Sequence, residues 1–129
     1  MRILIADDDK TSRLILGKEL KKWGYEVEEA VNGTQAIEIL KKADSPQIVI
    51  LDWIMPELNG LETLKEIKKI ERENHCYIIM LTFKAKKYDI ITGLNSGAND
   101  YLIKPFDIGE FQARVNVGRR VIEMQQDIS

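Results

Sequence analysis

Four short apolar runs each end in a polar residue able to do chemistry. Ile3-Leu4-Ile5-Ala6 leads into Asp7-Asp8-Asp9, Ile48-Val49-Ile50-Leu51 into Asp52, Ile78-Ile79-Met80-Leu81 into Thr82, and Tyr101-Leu102-Ile103 into Lys104. In an open α/β sheet, ligands bind beyond the carboxyl ends of the strands, so these residues are expected to converge on one edge. Asp7, Asp8 and Asp52 would repel one another there, each close pair by ~4 kcal/mol at about 4 Å and an effective dielectric of about twenty. A cation must therefore sit among them. A hard divalent ion fits, and Mg²⁺ takes one or two carboxylates plus waters and phosphate oxygens. Lys104 offers a second positive charge and Thr82 a hydroxyl. Such a site can neutralise an incoming phosphoryl group while a carboxylate acts as nucleophile. Taken singly, each residue has an ordinary alternative: Asp9 or Thr82 could cap a helix, and Lys104 could be a solvated lysine before a turn proline. The conjunction carries the reading.

The elements that must position these residues follow from the periodicity. The runs at 3–6, 48–51 and 78–81 are continuous and rich in β-branched residues, as strands covered on both faces are. Tyr25-Glu26-Val27-Glu28-Glu29-Ala30 alternates instead, which suits an edge strand exposed on one side, and Tyr101-Leu102-Ile103 makes a fifth strand. Between them lie five helical stripes: Leu16, Leu20, Trp23; Ala36, Ile37, Leu40, after an Asn32-Gly33 turn; Leu61, Leu64, Ile67; Ile90, Ile91, Leu94; and Phe111, Val115, Gly118. Strict β-α alternation with short connections points to a doubly wound parallel α/β sheet flanked by helices.

A chain of 129 residues suits one domain, and 44% hydrophobic with 31% charged residues describes a protein that folds. A net charge of −2 argues for neither direct nucleic-acid binding nor membrane attraction. The first apolar run meets Asp7 too soon for a signal peptide, and no run approaches a membrane span, so a cytoplasmic location is expected. A single cysteine, Cys76, and a single histidine, His75, exclude an internal disulfide and a Cys/His zinc cage. Any Ser-His-Asp or Cys-His device would need His75, whose place ahead of the fourth strand reads as a loop position with no special role.

With these residues in view, the chain resembles the receiver domain of bacterial two-component response regulators from Ile3 to about Arg120. The resemblance is carried by Ile3-Leu4-Ile5-Ala6-Asp7-Asp8-Asp9, Leu51-Asp52-Trp53-Ile54-Met55-Pro56-Glu57-Leu58-Asn59-Gly60, Leu81-Thr82, and Gly97-Ala98-Asn99-Asp100-Tyr101-Leu102-Ile103-Lys104-Pro105-Phe106. It implies a flavodoxin-like sheet of five parallel strands in order 2-1-3-4-5 with five helices. It further implies that Asp52 accepts a phosphoryl group from a sensor histidine kinase or phosphotransfer protein. Asp7, Asp8, Asp52 and the Ile54 main-chain carbonyl would hold Mg²⁺. Lys104 would contact the acceptor or its phosphoryl group, through a Lys-Pro peptide that is usually cis in the family. Thr82 and Tyr101 would form the switch pair that alters the face of the fourth helix, fifth strand and fifth helix for a downstream output domain or protein.

Ile54 and Lys84 occupy positions that tune the lifetime of the phosphorylated state in the family. Ile54 cannot hold a hydrolytic water, and Lys84 is expected to stabilise charge near the phosphoryl oxygens. Phe83 stands where the family usually has a small residue, so its ring is expected to narrow access to Asp52 or restrict the loop. Lys84, Lys86 and Lys87 form a basic cluster at a helix start. The chain is thus expected to be a phosphoacceptor assisting its own phosphorylation and dephosphorylation, and not otherwise an enzyme.

Two rival readings come from other classes. A haloacid-dehalogenase-type phosphohydrolase needs a second acid where Ile54 stands, and neither glycine-rich nucleotide motif occurs. A receiver-like binding module that signals without phosphorylation is the nearer rival. The receiver is expected over 1–120 and a C-terminal extension of the last helix over 121–129. There Val117, Val121, Met124 and Ile128 form a stripe on another face from Phe111, expected to be free of the sheet and short of the roughly three or four heptads that argue for a coiled coil. The expected resting state is a monomer whose self-association phosphorylation strengthens.

Overall fold

The computed structural model describes residues 1–42, 44–70 and 76–128, so His75 lies outside the described residues. Five parallel strands, β1 (Arg2–Ala6), β2 (Glu26–Ala30), β3 (Ile48–Asp52), β4 (Tyr77–Thr82) and β5 (Asp100–Ile103), form one sheet in the order β2-β1-β3-β4-β5. Helices α1 (Lys10–Lys22), α2 (Gly33–Leu40), α3 (Gly60–Lys68), α4 (Lys87–Asn95) and α5 (Ile108–Ile128) alternate with them. This is the doubly wound arrangement expected.

Successive residues of a strand face opposite sides of the sheet. Ile3 and Ile5 of β1, Ile48 and Ile50 of β3, and Ile79 and Leu81 of β4 therefore pack with Leu16 and Leu20 of α1 and with Phe111, Val115 and Ile122 of α5. Their neighbours Leu4, Ala6, Val49, Leu51, Ile78 and Met80 pack on the other side, with Ala36 and Leu40 of α2 and Leu64 and Ile67 of α3. Both sets are buried, and for that reason the central strands read as unbroken apolar runs. Each buried Ile or Leu contributes about 1.5–3 kcal/mol relative to exposure. At the sheet margin, β2 exposes Glu26 and Glu29, and Arg2 reaches across to Glu26 and Glu28 at 3.5 and 3.4 Å.

Helix starts are fixed by side chains in four cases. Asp9 caps α1, Asn32 caps α2, and Asn59 with Glu62 makes a reciprocal capping box on α3. Asn32-Gly33 is thus a helix start. At α5, Asp107 Oδ1 accepts from the Glu110 N–H at 2.7 Å. At α4 the N-cap is Lys86, with no side-chain cap bond, so Thr82 does not serve as a cap.

Two expectations about burial need correction. The Ile90, Ile91, Leu94 stripe of α4 is only partly packed: Ile90 lies half-buried against the core, but Ile91 is 50% and Leu94 43% exposed, and only Gly93 of the helix is fully buried. A helical period marks which residues share a face, but not whether another element covers it. In the tail, Val117 and Val121 are not on a free face; both lie half-buried against the core that holds Phe111. Met124 is exposed, and the Ile128 side chain lies outside the described residues. Among the described residues, no helix is long and apolar enough to cross a membrane.

Candidate functional site

The carboxyl ends of β1, β3, β4 and β5 deliver Asp7, Asp52, Thr82 and Lys104 to one edge of the sheet. Parallel register enforces this: Ala6 lies opposite Leu51, Asp52 opposite Leu81, and Thr82 opposite Ile103. The Lys104 ammonium is 2.8 Å from Asp52 Oδ2 and 3.6 Å from Asp7 Oδ2. Both carboxylates are buried, Asp7 at 2% exposure and Asp52 at 8%. Lys104 is thus the cation between them. The Lys104–Pro105 peptide is cis, as expected.

Each acid is held by its other atoms. Asp7 Oδ1 accepts from the Asp9 N–H at 2.9 Å, and the Asp7 carbonyl accepts from Arg13 Nη1 at 2.7 Å. Asp52 Oδ1 accepts from the Ile54 N–H at 3.1 Å. The loop after β3 is drawn tight by Gly60, whose N–H donates to the Trp53 carbonyl at 2.6 Å. A Cβ at Gly60 would run into the Asp52 carbonyl oxygen and the Trp53 Cα, so only glycine lets α3 start this close to the acceptor.

Charge in this pocket follows from burial and pairing. Burial pushes the Asp52 carboxyl above its ordinary value; Lys104 pulls the other way without cancelling it, and the Asp7 charge adds to the rise. For Lys104, burial favours the neutral amine, but the hydrogen bond and charge of Asp52, joined by Asp7, outweigh it and hold the ammonium above its usual range. The lysine therefore stays charged at neutral pH.

A donor set of oxygens alone suits a hard cation such as Mg²⁺. Asp7 Oδ2 is buried and accepts no hydrogen bond, leaving lone pairs available, and Asp8 beside it is exposed. Two carboxylates meet at Lys104, where the sequence led us to expect three. Among the described residues no three acidic, histidine or cysteine side chains are grouped to cage a metal by themselves. That fits an ion which completes its shell with water and phosphate oxygens.

Thr82 is buried, and its hydroxyl oxygen accepts from the Lys84 N–H at 3.2 Å. Tyr101 is turned inward: its hydroxyl donates to the Lys84 carbonyl at 2.8 Å, and its ring meets Trp53 edge-on at 6.1 Å. Burial, with the nearby Asp89 charge, pushes its hydroxyl up to about 12, so it remains a donor at neutral pH. The ammonium of Lys84 lies 5.2 Å from the Trp53 ring centroid, so its charge is engaged with an aromatic face. Phe83 is 67% exposed, with Lys104 Nζ 5.6 Å from its ring centroid, so it borders the lysine side of the site. Ile54 is exposed.

Arg13 and Trp53 were missed as participants. Nothing in the spacing marks Arg13, which steadies the Asp7 main chain from the first turn of α1 and pairs with Glu29 at 3.3 Å. Trp53 carried a signal, an aromatic directly after the acceptor candidate, but its partners come from elements distant in sequence.

Comparison with known proteins bears on this arrangement. A family model described as the response regulator receiver domain matches residues 3–116. A chemotaxis protein CheY homolog of Campylobacter jejuni is 38% identical over 107 residues, covering 82% of each chain. Among solved structures, a Francisella response regulator receiver domain superposes with a TM-score of 0.84 at 31% identity, covering 93% of this chain and 98% of that one. The receiver domain of a Pseudomonas aeruginosa sensor histidine kinase, solved with a magnesium ion coordinated in its active site cleft, gives 0.82 at 29% identity, covering 91% and 95%.

Proposed function

Because this chain belongs to the response regulator receiver family, we propose that it takes a phosphoryl group onto Asp52 in a Mg²⁺-dependent reaction and passes the event to its α4-β5-α5 face. The observation that carries this reading is the Asp52 carboxylate itself. It is buried at a strand end, fastened through Oδ1 by the Ile54 N–H and through Oδ2 by Lys104. Burial withholds water from that carboxylate, which favours attack on phosphorus.

In the reaction, an Asp52 oxygen forms the new bond to phosphorus as the bond to the donor breaks. The electron pair leaves with the donor, an imidazole nitrogen for a histidine kinase or phosphotransfer protein and acetate for acetyl phosphate. Lys104 moves its hydrogen bond from the carboxylate to the incoming phosphoryl oxygens and neutralises part of their charge. Asp7, Asp8, Asp52 and the Ile54 carbonyl are the groups we assign to Mg²⁺, which when bound neutralises the phosphoryl oxygens of the donor. Thr82 then turns its hydroxyl toward the phosphoryl group, and the coupled Tyr101 carries the change to the surface read by an output domain or protein.

Ile54, Phe83 and Lys84 are the residues we assign to tuning the lifetime of the product. An apolar Ile54 gives an attacking water no hydrogen bond, so slow decay is expected. On this reading the chain is a phosphoacceptor rather than a turnover enzyme. It works in the cytoplasm, rests as a monomer and associates more strongly when phosphorylated. Its receiver unit spans 1–120, with a C-terminal extension over 121–129 in which α5 continues to Ile128.

Intact mass after incubation with acetyl phosphate and Mg²⁺ tests the proposal. Wild type should gain one phosphoryl group, and both Asp52→Asn and omission of Mg²⁺ should abolish the gain. Equal labelling of Asp52→Asn would refute it.

A further inference from the structure

Lys84 makes three contacts to three different elements. Its N–H donates to the Thr82 hydroxyl oxygen at the end of β4, its carbonyl accepts from the Tyr101 hydroxyl on β5, and its ammonium covers Trp53, the residue after Asp52. Trp53 in turn packs edge-on against Tyr101. Gly93 of α4 closes the far side; a Cβ there would come within 3.0 Å of the Tyr101 ring and 3.5 Å of the Trp53 ring. All of these contacts are made by the chain's own groups, and none uses the Asp52 carboxylate.

The two main-chain contacts would be available to any residue at this position. The side-chain contact would not: it needs a cation on a long stem, and it acts on the ring against which Tyr101 rests. A cation over an indole face is favourable, more so as the site loses water, and Trp53 is itself buried.

We propose that Lys84 is a positioning residue whose ammonium, by clamping Trp53, stabilises the inward arrangement of Tyr101 and so sets the chain's resting balance toward its switched state. Loss of the ammonium frees Trp53 to move, and Tyr101 loses the wall behind its ring. The consequence for switching rests on the reading of Thr82 and Tyr101 as a coupled pair. The positional claim stands apart from phosphorylation, since it concerns the unphosphorylated protein.

The test is nuclear magnetic resonance on the full chain without a phosphoryl donor, comparing wild type with Lys84→Met and Lys84→Arg. Cross-peaks between the Tyr101 and Trp53 rings report the inward arrangement. Lys84→Met should lower the inward-to-outward ratio about two- to fivefold, the range of a cation–π contact at a partly exposed site. Lys84→Arg, which keeps a cation, should retain the wild-type ratio. Trp53 emission in a Trp23→Phe background should shift with Lys84→Met and not with Lys84→Arg. Cross-peaks unchanged in Lys84→Met, or lost equally in Lys84→Arg, would overturn the proposal. Failure of Asp52 to accept a phosphoryl group would leave these spectra unaffected, so the two readings fail separately.

Discussion

Helices α3 and α4 are each nine residues long and each follows a central strand, yet they are held in opposite ways. α3 begins with a capping box, is drawn to β3 through Gly60, and buries Thr63, Leu64 and Ile67. α4 begins at Lys86 without a side-chain cap and buries only Gly93, leaving Tyr88, Ile91 and Leu94 largely in solvent. On the proposed reading, a site that must stay rigid and a surface that must move are thereby built from similar units. α3 braces the end of β3 and the loop after it, which carry Asp52 and Ile54, whereas α4 rests on the core through Gly93, against Tyr101, and half-buried Ile90. Elements that move are drawn from the weakly held parts of a fold.

The sharpest way to break this comparison is to truncate both helices. Leu64→Ala should cost about 2–5 kcal/mol in urea unfolding, because a fully buried side chain leaves a cavity. Leu94→Ala, at an exposed position, should stay within about 0.5 kcal/mol. Equal losses would mean that α4 is as firmly packed as α3.

Neutralising the acceptor should act in the other direction. The Asp52 carboxyl is held above 3.8 by burial, so the folded protein binds that proton more tightly than the unfolded chain does. Its ionisation therefore erodes stability as pH rises through the folded value, and no difference remains below 3.8. Asp52→Asn should accordingly raise stability at neutral pH, read as a higher Tm than wild type. The gain should fade as the pH drops toward that of the free carboxyl. A loss at neutral pH would show that the Lys104 pair outweighs the cost of burying the charge.

The smallest effect concerns the helix caps. Asn59→Ala should cost about 1 kcal/mol by removing the α3 cap, and Lys86→Asn should add about 0.5 kcal/mol by giving α4 one. Thermal melts at neutral pH measure both. If Lys86→Asn gains nothing, the start of α4 is held by something other than its cap.

The difference between these helices also marks how far the sequence was legible. Unbroken apolar runs disclosed the central strands because both faces of the sheet are covered. Asp7, Asp52, Thr82 and Lys104 were legible because parallel register turns strand ends into neighbours. The openness of α4 was not, since Ile90, Ile91 and Leu94 have the period of a buried stripe and only tertiary placement leaves most of it uncovered. Nor was the destination of the Lys84 ammonium, because Trp53 is near it in space and far in sequence. Asp8 shows a third limit: adjacent aspartates look equivalent on paper, but the chain bends just past the end of β1, and Asp8 is exposed where Asp7 is buried.

One consequence reaches beyond signalling. A parallel sheet that ends in β2 presents unpaired backbone groups along one side, a template on which a second molecule could add its own strand. Glu26, Glu28 and Glu29 line that strand, and the Arg2 side chain is already committed to two of them. A second copy approaching through the same strand would bring like charges face to face, which is unfavourable for strand pairing. The glutamate-lined margin thus disfavours open-ended pairing of copies through β2.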